Sequence, residues 1–172
     1  MGKRIFTSAA LTFTAAAAGS AIGAGSTYMA LKGGSSTQVI EVLEILATGK
    51  AVASAIGALM LARSSTLETT PTALAAPHSD GAVHPATAAL AAPSVPFVAA
   101  ATQPTPSNTV TDAKLNLAMN LFGGLIRWNA APMQEWIISG NTAPGGESVL
   151  WNSTTHGGAS GNADAHIMYE PY

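Results

Sequence analysis

From Ile5 to Leu31 the chain runs for 27 residues without a charged side chain, directly behind Lys3 and Arg4. A stretch this long and uncharged has to be covered by protein or lipid, because about 20 apolar residues already match the hydrocarbon thickness of a bilayer. The same shortage of charge extends over the whole chain, in which 9% of residues are charged against roughly 25% in ordinary globular proteins. The apolar content is nevertheless 48%, and much of it is small: 35 Ala and 17 Gly. Methyl groups bury little area at about 25 cal/mol per Å², so a self-sufficient soluble globule is not expected. Disorder of the usual kind is not expected either, since that class couples low hydrophobicity to high net charge and the formal charge here is −2.

Charge is also distributed unevenly. Residues 1–67 hold five cations and two acids, whereas residues 68–172 hold two cations and seven acids. Five cations over 67 residues are too sparse to follow a phosphate backbone, which argues against nucleic acid as a partner. A basic, apolar first part suits a membrane surface or the inside of an assembly. Lys3 and Arg4 before an apolar run also fit a secretory signal with Ala16–Ala18 as a small-residue cleavage site.

Four segments follow from composition. Residues 1–67 are Ala/Gly-rich. Within them Ile5–Leu31 and Gln38–Ala62 are expected to be helices joined by Lys32–Thr37, with Glu41 in the first turn of the second helix. Small residues recur every fourth position, at Gly19 and Gly23 in the first segment and at Gly49, Ala53 and Gly57 in the second. Such ladders let helix backbones approach, the packing device of membrane helices, so residues 5–63 read as an antiparallel helical hairpin. Residues 68–111 contain seven of the ten prolines and read as an extended, semi-rigid linker in which helix and central strand are both excluded.

Residues 112–128 are expected to form an amphipathic helix opened by Thr109–Asp112, with Leu115, Leu117, Leu121, Phe122 and Leu125 on a wide apolar arc. Residues 129–172 are rich in Gly, Asn and Trp and read as irregular. Gln134–Ser139 suits a short strand or helical turn, and Ser148–Trp151 a short strand. The expected fold class is therefore mainly α with extensive coil. Phe122, Trp128, Trp136 and Trp151 are the candidate partner anchors, because aromatic side chains scattered through polar sequence often serve interfaces.

No stretch matches a phosphate-binding loop, a nucleophile elbow or a helical zinc motif, and the absence of cysteine excludes thiolate chemistry. His156, Asp164 and His166 have no compact metal-ligand spacing, and His78 and His84 fall in the proline-rich stretch. Glu135, Glu147 and Glu170 have no neighbouring carboxylate for acid–base work. Neither cofactor, metal nor small-molecule substrate is expected, and the chain is not read as an enzyme.

The layout of Met1-Gly2, an Ala/Gly-rich region with small-residue ladders, a proline-rich stretch and a polar aromatic tail resembles the minor capsid and membrane-penetration proteins of non-enveloped viruses, such as the polyomavirus minor capsid protein. It departs from them at Phe6, where a myristoylation signal needs Ser or Thr, and in lacking a basic tail. The resemblance implies a virion or membrane-associated structural component whose partners are other protein subunits and a lipid bilayer. The alternatives are a two-helix integral membrane protein and a secreted protein with a cleaved signal.

Overall fold

The computed structural model describes residues 5–14, 26–70, 72–77, 79, 92–95, 105–106, 113–142, 147–152 and 162–172. Every regular element among them is a β-strand: β1 (Phe6–Thr14), β2 (Ser26–Lys32), β3 (Val39–Lys50), β4 (Ile56–Thr66), β5 (Thr72–Ala73), β6 (Ala92–Val95), β7 (Thr105–Pro106), β8 (Ala113–Asn120), β9 (Phe122–Asn129), β10 (Trp136–Ser139), β11 (Glu147–Asn152) and β12 (Asn162–Pro171). The expected mainly α class, the helical hairpin over 5–63 and the amphipathic helix over 112–128 are all overturned. Gly19 and Gly23 lie outside the described residues. The short strands read near Ser139 and Trp151 are present as β10 and β11.

Two antiparallel sheets carry the fold. The five-stranded sheet has the order β1-β12-β3-β10, with β9 alongside the second half of β3; the seven-stranded sheet has the order β5-β6-β2-β11-β4-β7, with β8 also on β4. One folding operation accounts for both orders. Doubling the chain between β4 and β8 into an antiparallel ribbon pairs β4 with β8, β3 with β9 and β10, β2 with β11, and β1 with β12. Rolling that ribbon then sets β12 against β3 and β11 against β4. This is the double-sheet jelly-roll arrangement. The four sequence segments are accordingly interleaved, and the first and last strands are neighbours.

The core lies between the sheets. β12 presents Ala163, Ala165, Ile167 and Tyr169 inward by strict alternation, and β3 meets it with Ile40 and Val42, then Ile45 and Ala47. The step from even to odd positions comes from a bulge at Leu43, where Val42 pairs with Tyr169 but Glu44 pairs with Met168; one extra residue shifts the side-chain parity. β4 is buried on both faces, with Leu59 and Leu61 on one and Met60, Ala62 and Ser64 on the other. Thus the described strands of the uncharged N-terminal stretch are β1 and β2, and Phe6, Met29 and Leu31 are core residues. Among the described residues no helix is long and apolar enough to cross a membrane.

Among the described residues the proline-rich stretch contributes three short strands, β5 and β7 at the two ends of the seven-stranded order and β6 beside β5, with Pro93 in β6 and Pro106 in β7. Proline lacks the amide a central ladder needs, so margins are where it is tolerated.

Candidate interaction surface

At one end of the sandwich the loop joining β3 to β4 meets the turn joining β8 to β9. The two are clipped by backbone hydrogen bonds: Ala51 N–H donates to the Leu121 carbonyl and Leu121 N–H to the Ala55 carbonyl, both at 2.8 Å. Leu121 is fully buried, wedged over two glycines. A methyl group on Gly49 would enter the Leu121 backbone, and one on Gly57 would lie 2.8 Å from its side chain. These two positions of the small-residue ladder do permit a close approach, but of a turn onto two strands and not of helix on helix. Ala53, between them, is an exposed loop residue. On the far side of the wedge Asn120 Oδ1 accepts the Phe122 amide at 2.9 Å and Gly123 takes φ +77°, a conformation glycine adopts without steric cost.

The rigid end so made is apolar and open. Val52 is 97% exposed, Leu125 63%, Ile56 60%, Phe122 57% and Leu117 42%. Single exposed apolar residues are ordinary; here Phe122 and Leu125 stand opposite Lys50 and Thr48 in the five-stranded sheet, while Ile56 and Leu117 belong to the seven-stranded sheet. The charges beside it are matched within the chain: Lys50 Nζ lies 3.5 Å from Asp164 Oδ2, and Arg127 makes two bonds to the Glu44 carboxylate at 3.0 and 3.1 Å. That hydrogen bond, with the charge of Glu44, raises the Arg127 pKa further.

Of the four candidate anchors, Phe122 lies in this exposed group. Trp128 and Trp136 pack against the core, and Trp136 also receives the Arg63 guanidinium 4.6 Å from its ring centroid, joining β10 to β4 across the sandwich. Trp151 sits in β11 opposite Met60 and Thr27. Val52, Ile56 and Leu125 were not distinguishable in sequence from buried positions of apolar segments.

A second surface lies on the outer face of the five-stranded sheet, a shallow groove of about 360 Å³ lined by Ala9, Leu46, Thr48, Asp164 and His166. Asp164 and His166 alternate onto the same face of β12, with Lys50 on Asp164; His156, His78 and His84 lie outside the described residues. No group of three metal-ligating side chains occurs among the described residues. Glu170 stands opposite Glu41 in the β12–β3 ladder, and the Tyr172 hydroxyl donates to Glu41 Oε2 at 3.2 Å. Lost hydration, then the hydrogen bond and charge of Glu170, push the Tyr172 pKa up to about 12.

The fold and the surface together define a jelly-roll domain with a preorganised apolar end. No family model matches the chain, and no curated protein matches it.

Proposed function

We propose that this chain is a non-enzymatic structural subunit of a larger protein assembly, engaged through the apolar end built from Val52, Ile56, Phe122 and Leu125. The exposure of these large apolar side chains, on strands and a loop clipped together at Leu121, is the observation that carries the reading. A surface already ordered before contact loses less entropy on docking. The jelly-roll order, used by capsid shells as well as by lectins and cupins, makes a capsid or capsid-associated subunit the form of assembly favoured, a step that rests on fold-level analogy. The helical membrane hairpin has no place in this proposal, since its residues supply β1 to β4. Cleavage near Gly19 would remove β1 with the core residue Phe6, which weighs against the secreted alternative.

Sedimentation velocity of the full chain tests it, with electron microscopy of the heavy fractions. The wild type should form species well above 17.2 kDa, and the double variant Phe122→Asp, Leu125→Asp should stay folded yet sediment as a monomer. A wild-type chain that is folded and monomeric at every concentration reached would overturn the proposal.

A further inference from the structure

The backbone at the same side of the molecule specifies what kind of partner fits. β8 is an eight-residue strand with β4 as its one strand neighbour in the sheet among the described residues. It contains no proline, and Lys114 is its one charged residue. Leu117 pairs with the buried Leu59 and belongs to the inner face, yet it is 42% exposed. A strand margin of this length and composition offers a row of amides and carbonyls to any second strand, and natural sheets ordinarily blunt it with prolines, short strands or inward charges.

We propose that β8 is the homotypic contact of this chain, pairing antiparallel with β8 of a second copy about a two-fold axis at Leu117. This deepens the subunit reading above and rests on it. An isologous contact must be complementary to itself, and this strand is. Centred on Leu117, the register sets Leu115 opposite Met119 and Asn116 opposite Ala118. Lys114 falls opposite Asn120, so no like charges meet, as cross-strand pairing requires. The adjoining cations also bring no unmatched charge to the seam, because Lys50 and Arg127 are held by Asp164 and Glu44. The two seven-stranded sheets become one, and the two β9 margins, with Leu125 and Phe122, come together on the same side of it.

The chain has no cysteine, so Leu117→Cys introduces a single thiol. At the two-fold axis opposed Cβ atoms lie about 4.5–5.5 Å apart, close to disulfide geometry. With diamide as oxidant, the two thiols should give a disulfide-linked dimer nearly quantitatively, whereas Ser35→Cys in the exposed β2–β3 turn should give no disulfide-linked dimer. Leu117→Lys, which supplies the missing inward charge, should shift sedimentation to a smaller species while the strand circular dichroism is kept. If Leu117→Cys does not cross-link and Leu117→Lys leaves wild-type association intact, the β8 contact is wrong. If association in that case is still lost in the Phe122/Leu125 double variant, the subunit reading stands without it.

Discussion

The two margins of the sandwich are built on opposite principles. On the β1 side, Ala75, Pro77 and Ser79 bond to the start of the strand: Thr7 N–H donates to the Pro77 carbonyl at 3.0 Å, Ser79 N–H to the Ile5 carbonyl at 2.8 Å, and Ser8 Oγ to the Ala75 carbonyl at 2.8 Å. The seven-stranded sheet ends on that side in the two-residue β5, next to β6 with Pro93. On the β8 side the strands are long, free of proline and flanked by exposed Leu117, Phe122 and Leu125. One margin is covered from within the chain, whereas at the other β4 is the one strand neighbour of β8 among the described residues, and the proposed contact with a second copy would cover it.

The comparison can be broken most strongly at the sealed margin. Phe6 is buried and stacks on Tyr169 with centroids 5.9 Å apart, so Phe6→Ala should cost about 4 kcal/mol, read as a fall in the midpoint of denaturant unfolding. At the open margin, Gly49→Ala should cost about 2 kcal/mol by overpacking against Leu121. It should also accelerate hydrogen exchange at the Ala51 and Leu121 amides, because the clip loosens before the core does. Ser8→Ala removes one part-buried hydrogen bond and should cost about 1 kcal/mol, with faster exchange at Ser79 amide but no change in association.

The smallest effect is a pH dependence. The folded pKa of Tyr172, about 12, lies above its ordinary value of 10.0. The neutral phenol therefore contributes stability that is whole below pH 10 and is lost as pH rises from 10 to 12. A pH series of thermal unfolding should show a shallower alkaline decline for Tyr172→Phe than for the wild type.

Some of this architecture was legible in the residues. β12 alternates without error, Ala163, Ala165, Ile167 and Tyr169 against Asp164, His166 and Met168. β8 does the same with Leu115, Leu117 and Met119, and Leu121 continues the alternation into the turn, although these four also fit a broad helical arc, and its width was the sign that a period of 2 described them better. Elsewhere the signal was hidden for identifiable reasons. The bulge at Leu43 breaks the alternation of β3 into a spacing that imitates a helix, and β4, buried on both faces, has no alternation to show. Its Ala and Gly neighbours form the small-residue spacing that sequence alone assigns to closely packed helices. The exposed anchor Phe122 could be picked out as an aromatic in a polar context. The part played by Gly49 and Gly57 could not, because it depends on Leu121, which lies more than 60 positions further along the chain.

The place of β12 between β1 and β3 also sets an order of events during synthesis. β1 and β3 are made early, but the strand that joins them spans residues 162–171. At roughly 5–20 residues per second, the first half of the five-stranded sheet waits on the order of ten to thirty seconds on the ribosome with Phe6, Ile40, Val42 and Ile45 uncovered. The five-stranded sheet therefore cannot close until residues 162–171 have emerged, and the N-terminal half made before them should be a client of holding chaperones until then.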